Sequence, residues 1–160
     1  MQTEVVLCFG GNKGNREELI QQALGSIKDK FHLVQCSKVY ESAPWGGVAV
    51  GKFLNQVAII STSMSAESVL DILQQIEIQL GRTRVETWGD RTMDIDIIFF
   101  GDSIIQSDRL IIPHPFLGER KFVLVPLVEL IPDRKHPVSG KSMLELLQEC
   151  EDQSEVVPAF

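Results

Sequence analysis

Cysteine is scarce in this chain of 160 residues, with only Cys8, Cys36 and Cys150. They are odd in number, widely spaced and form no C-x-x-C pair, which suggests neither a disulfide framework nor a zinc site and suits a cytoplasmic protein. Long apolar runs are missing too. The densest, Ile95 to Phe100, is broken by Asp96 and falls far short of the ~20 residues that span a bilayer. The opening Met-Gln-Thr-Glu has no basic stretch, so no signal peptide is expected. Basic residues are outnumbered, 15 Lys+Arg against 22 Asp+Glu for a formal charge of −7. That balance argues against broad binding to nucleic acid or anionic membranes, while leaving room for a local cationic pocket. The G-x-x-x-x-G-K-[ST] phosphate loop is absent, as are internal repeats, low-complexity tracts and Pro/Gly/Ser linkers. A single domain over residues 1–160 is expected, large enough to bury roughly 70% of the unfolded chain's surface without a metal or disulfide.

Apolar periodicity gives the elements. Val5 to Phe9 reads as a buried strand, and Gly10 to Gly14 as a loop. Asn15 followed by Glu18 has capping-box spacing ahead of a helix to about Lys30. Leu33 to Tyr40 reads as a second strand, Glu41 to Lys52 as a long loop and Phe53 to Thr62 as a third strand. Ser65 caps a second predicted helix that Gly81 ends; residues 82–91 read as another loop, and Met93 to Phe100 as the fourth strand. Short helices are predicted near Val123–Leu130 and Ser142–Cys150. The order is that of a ferredoxin-like β-α-β-β-α-β α+β fold, an antiparallel sheet with helices on one face and extra C-terminal elements. The other face, or one end of it, is left for a site.

The chemistry concentrates in Met93-Asp94-Ile95-Asp96-Ile97-Ile98. Strand alternation puts Asp94 and Asp96 on one face, with Cα atoms roughly 7 Å apart, and Ile95 and Ile97 on the core face. Two adjacent carboxylates in a greasy strand need neutralising, which magnesium with substrate phosphates does well. An edge strand protected by charge is the alternative. Five of the seven arginines, Arg82, Arg84, Arg91, Arg109 and Arg120, surround that strand. Guanidinium groups match phosphate oxygens, so a polyphosphate is indicated; pairing with the acidic residues of the same stretch is the alternative. Trp45, Phe53, Trp88, Phe116 and Phe122 lie in or beside the loops. Two such rings can sandwich a heteroaromatic ligand whose edge an amide such as Asn55 reads. On these residues alone, a metal-dependent glycosyl- or nucleotidyl-transferase and a non-catalytic ferredoxin-like module also stay open.

Together the segments resemble the 6-hydroxymethyl-7,8-dihydropterin pyrophosphokinase family of folate biosynthesis. Trp88-Gly89-Asp90-Arg91-Thr92-Met93-Asp94-Ile95-Asp96-Ile97-Ile98 is similar to its W-G-P-R-x-x-D-[LIV]-D-[LIV]-[LIV] signature. Gly10-Gly11-Asn12, Tyr40 to Pro44, Phe53-Leu54-Asn55, Pro113-His114-Pro115 and Glu119 to Leu127 match in the family's order. The resemblance implies transfer of pyrophosphate from ATP to the pterin's hydroxymethyl oxygen, with small-molecule substrates and no protein partner evident. It implies that Asp94 and Asp96 hold two Mg2+ ions and act in catalysis with Arg82 and Arg91. Phe53 and Phe122 would sandwich the pterin and Asn55 read its edge. Ser42, Ala43 and Trp45 would line the pocket, and Trp88 would close over it with Arg82 and Arg91. Gln74, Glu77, Arg84, Ile97, Arg109, Leu110, His114 and Arg120 would surround ATP. Asp90 stands where the family has proline, Gly11 where it has serine and Phe53 where tyrosine is common.

Overall fold

Strand β1 (Thr3–Gly11) runs through the middle of the sheet, and its alternation divides the core in two. Val5, Leu7 and Phe9 face one side, where they meet Ile20, Ala23 and Ile27 of helix α1 (Arg16–Lys30) and Val69, Leu73 and Ile76 of helix α2 (Ala66–Gln79). Val6 and Cys8 face the other, against Val123, Leu124 and Leu127 of helix α3 (Lys121–Leu130) and Met143 of helix α4 (Met143–Glu149). Each fully buried aliphatic side chain in these layers contributes about 1.5–3 kcal/mol. The computed structural model describes residues 1–44, 51–81 and 92–160. No helix among the described residues is long and apolar enough to cross a membrane.

β1 pairs antiparallel with β4 (Phe53–Thr62) on one side and β5 (Asp94–Phe100) on the other. The path continues from β4 to β3 (Tyr40–Ser42) and β8 (Val156–Pro158), and β2 (His32–Cys36) also lies on β4. Taking β2 and β3 as one interrupted strand, the four main strands lie in the order fourth, first, third, second, which is the expected ferredoxin-like arrangement.

The structure corrects several sequence expectations. The single strand predicted over Leu33–Tyr40 is two, because Ser37 interrupts the ladder: its Oγ accepts from the Val57 N–H at 3.0 Å, taking the place of a strand carbonyl. Glu41 and Ser42 belong to β3, not to a loop. Helices α1 and α2 share one face as expected, but α3 and α4 cover much of the other, leaving one end of that face for a site. Beyond β5 the chain adds a small hairpin, β6 (Ile105–Gln106) with β7 (Ile111–Ile112), whose two-residue strands are too short to carry a periodic signal.

The caps follow the sequence closely. Asn15 accepts from the Glu18 amide at 3.2 Å, although Glu18 takes its return bond from the Asn15 side chain. Ser65 caps α2 through the Ser68 amide, and Gly81, at φ +86°, ends it. β5 carries a bulge: Val6 pairs with Phe99 while Leu7 pairs with Ile97, so Ile98 is the extra residue. Up to Ile97 the D-I-D-I alternation is regular, and the bulge resets it afterwards.

Candidate active site

Asp94 and Asp96 are both half-buried on the α3 side of the sheet, while Ile95 and Ile97 sit in the α1–α2 core. The register extends a row from Asp94 across the sheet: Asp94 pairs with Gly10, Gly10 with Asn55, and Asn55 with Tyr40. Paired residues share a face, and strands lie about 4.8 Å apart. Asn55 and Asp94 therefore flank a slot whose floor is a glycine. A Cβ at Gly10 would lie 1.9 Å from the Leu54 carbonyl oxygen and 2.5 Å from Asn55 Oδ1. Only glycine fits there. Phe53, two residues from Asn55, shares its face and pairs with Ser42. The Asn55 Nδ2 and Ser42 Oγ atoms are buried with no hydrogen-bond partner among the described residues. Buried donors left open cost about 1–3 kcal/mol each, so this end of the sheet is prepared for a polar-edged ligand.

On the other side of the aspartates, a cleft of about 330 Å³ lies between α2, the outer edge of β5 and the β6–β7 hairpin. Gln74, Glu77, Asp94, Asp96, Ile97, Arg109, Leu110 and His114 line it. β5 is the edge strand of the sheet, so the premise of charge protection is met. Yet that edge is also capped: the Glu77 carboxylate accepts the Ile95 N–H at 2.7 Å, and the His114 N–H donates to the Ile98 carbonyl at 3.1 Å. Glu77 is thus a buried anchor that ties β5 to α2. The Arg109 guanidinium reaches Asp71 at 2.5 Å and Glu67 at 3.3 Å, and it donates to Gln74.

Cationic and neutral donors converge on Asp96. The Arg120 guanidinium, almost fully buried, lies 3.9 Å from its carboxylate, and His114 Nε2 lies 3.8 Å away. Burial, and then the Arg120 charge, lower the His114 pKa to about 4, with Asp94 acting the other way. The imidazole is therefore neutral near pH 7. Its Nδ1 accepts the Phe116 N–H, so the proton belongs on Nε2, facing Asp96. Arg120 also stands over the rings of Phe116 and Phe122, at 5.1 and 5.7 Å from their centroids.

Comparison with known proteins decides the family. The model of the family described as 7,8-dihydro-6-hydroxymethylpterin-pyrophosphokinase (HPPK) matches residues 6–132. The chain belongs to that family. A Pseudomonas aeruginosa protein named 2-amino-4-hydroxy-6-hydroxymethyldihydropteridine pyrophosphokinase is 38% identical over 152 residues, covering 94% of this chain and 93% of the relative. A Haemophilus influenzae protein of the same name is 38% identical over 148 residues, 91% of this chain and 92% of its own. Among solved structures, Plasmodium falciparum HPPK-DHPS with pteroate superimposes with a TM-score of 0.75 at 16% identity, over 93% of this chain. The chain spans 42% of that longer protein, and the likeness speaks for the fold alone.

Of the residues implied by the resemblance, Gln74, Glu77, Ile97, Arg109, Leu110 and His114 share the cleft with the aspartates, and Arg120 reaches Asp96. Ser42, Phe53 and Asn55 gather in the paired ends of β3 and β4, with Ala43 just beyond. Phe122 sits in the first turn of α3. Trp45, Arg82, Arg84, Trp88 and Arg91 lie outside the described residues. Gly10 and Gly11 belong to β1 rather than to the loop expected over Gly10–Gly14, and the need for glycine at position 10 is visible only with Asn55 and Leu54 beside it.

Proposed function

We infer that this chain transfers a pyrophosphoryl group from ATP to the hydroxymethyl oxygen of 6-hydroxymethyl-7,8-dihydropterin, giving AMP and the pterin diphosphate, a step of folate biosynthesis. The observation that carries this reading is the position of Asp94 and Asp96. They stand where a cleft bordered by Arg109 and His114 meets a slot bordered by Asn55, and so where a nucleotide's phosphates would meet a second substrate.

Two half-buried carboxylates in a cleft are hard oxygen donors that fit magnesium, an ion held by one or two carboxylates with waters and phosphates completing its shell. Asp94 and Asp96 would hold two such ions, which when bound supply positive charge to the triphosphate and lower the pKa of the pterin hydroxyl. The protein's own work is placement. Arg109, Arg120 and the Nε2–H of His114 offer donors to phosphate oxygens, while Asn55 and Ser42 offer theirs to the pterin's edge. Phe53 and Phe122 hold the flat ring so that its oxygen faces the β-phosphorus in line with the leaving AMP oxygen. Arg82, Arg84 and Arg91 carry the remaining charge in this reading, and Trp45 and Trp88 close the pterin pocket. A cytoplasmic location accords with the three scattered cysteines.

Incubation with ATP, magnesium and the reduced hydroxymethylpterin, followed by mass detection, tests the reading. AMP and the pterin diphosphate are expected. Free pyrophosphate or a nucleoside diphosphate would point to another transferase, and no AMP with any pterin to a binding module.

A further inference from the structure

The chain's last eleven residues touch two elements that carry residues of the pterin reading: β3, with Ser42, and the start of α3, with Phe122. Strand β8 pairs along β3, with Val156 opposite Ser42, Val157 opposite Glu41 and Pro158 opposite Tyr40; the Ala159 N–H then donates to the Val39 carbonyl at 2.9 Å. Just before β8, Asp152 Oδ2 accepts the Lys121 N–H at 3.1 Å, the first amide of α3. Its Oδ1 accepts the Ser154 amide at 2.9 Å and the Ser154 hydroxyl at 2.6 Å, which fixes the carboxylate.

That contact matters because α3 starts poorly by itself. Arg120 occupies the N-cap position, and an arginine side chain has donors only, so it cannot satisfy helix amides. Pro126 inside the helix has no N–H, so the Phe122 carbonyl loses its partner four residues on. The first turn is therefore weak at both its donors and its acceptors, and it carries Arg120, beside Asp96, and Phe122. A carboxylate brought from 31 positions away supplies the missing cap and suits the positive end of the helix dipole. Burial raises the Asp152 pKa, but bonds from Ser154 and the Lys121 amide outweigh it and hold the carboxyl below its usual range.

We propose that residues 150–160 form a strap across the pterin slot. Asp152 is its positioning residue: it caps α3 to set Phe122, while β8 braces the β3 strand that carries Ser42. The family match ends at residue 132, well before the strap. Asp152 touches no substrate; it acts through the Lys121 amide. The inference rests on the pterin reading of the slot.

Asp152→Ala and Asp152→Asn test it, by steady-state kinetics in each substrate and by hydrogen exchange at the Lys121 amide. Loss of a cap of this kind predicts a rise of about three- to tenfold in KM for the pterin in Asp152→Ala. KM for ATP should rise less than that for the pterin, because Arg120 is also held by the Asp96 carboxylate and the Phe116 ring. Exchange at the Lys121 amide should quicken. Asn retains one carbonyl acceptor and should recover most of the pterin KM, which mere loosening of the fold would not. An unchanged pterin KM, or equal rises in both KM values, would overturn the proposal. If the wild-type protein turns over no pterin, the functional reading fails instead. The exchange measurement then still decides the strap: unchanged protection of Lys121 in Asp152→Ala refutes it.

Discussion

Gly10→Ala puts the slot to a severe test with one methyl group. The added Cβ would lie 1.9 Å from the Leu54 carbonyl oxygen and 2.9 Å from the Asn55 Cα, both backbone atoms that no rotamer change can move away. Real Cβ atoms essentially never show contacts under 3.0 Å, so β1 and β4 must part locally by about 1 Å. Forced expansion of a packed site costs roughly 1–3 kcal/mol. At about 2–4 °C per kcal/mol for a domain of this size, the melting temperature should fall by roughly 2–12 °C. The functional loss should be larger, because a shift of about 1 Å in a reacting group costs on the order of 100-fold. Turnover followed by AMP release, and calorimetric melting of the same preparation, read both quantities. Gly25→Ala is the control: Gly25 lies inside α1, where a Cβ meets nothing within 4 Å, and the change should stabilise by about 0.5–1 kcal/mol. A Gly10→Ala protein with wild-type melting and wild-type kcat/KM for the pterin would refute the slot.

Three further outcomes are expected. Glu77→Ala leaves the Ile95 amide without its carboxylate acceptor and should cost about 1–3 kcal/mol in chemical denaturation, whereas Glu77→Gln, which keeps an acceptor, should cost less than half as much. Equal losses in the two variants would count against the anchor. Cys8 is buried, and burial followed by the Asp96 charge pushes its thiol far above the usual range. At pH 8, where an ordinary thiol is partly ionised, it should resist alkylation in the native protein and react only on unfolding; peptide mapping that finds it labelled early would contradict this. Asp71→Asn removes the acidic partner nearest to Arg109, an exposed pair with little bearing on stability. KM for ATP should therefore drop by about two- to fivefold with unchanged melting, and a rise in KM would show that Asp71 orients the arginine instead.

The framework was legible because it rests on local signals. Apolar alternation in Val5–Phe9 and Phe53–Thr62, helical spacing ahead of Lys30 and Gly81, and side-chain caps at Asn15 and Ser65 each lie within a few residues of what they determine. The paired aspartates were legible for the same reason: period two puts both on one face whatever the neighbouring strands do. What escaped depends on contacts across the fold. The break between β2 and β3 arises because the Ser37 hydroxyl substitutes for a carbonyl toward Val57, 20 positions away. β8 is three residues long and ends in proline, too short for a periodic signal. Gly10 looks like any turn glycine until Leu54 and Asn55 are placed against it, and Asp152 looks like any surface aspartate until α3 starts beside it.

In the proposed reaction Asp94 and Asp96 hold the ions on which pyrophosphoryl transfer depends, and they are otherwise dispensable to the fold. Magnesium-dependent AMP formation by Asp94→Ala and Asp96→Ala, measured alongside their melting temperatures, separates the two roles. Because both side chains are half-buried at a cleft and outside the apolar core, melting should shift by no more than a few degrees, roughly the effect of 1 kcal/mol. Turnover should fall by about a thousandfold or more in each variant, as expected when a group that organises transition-state charge is lost. Substantial magnesium-dependent turnover retained by both would show that these carboxylates do not hold the ions.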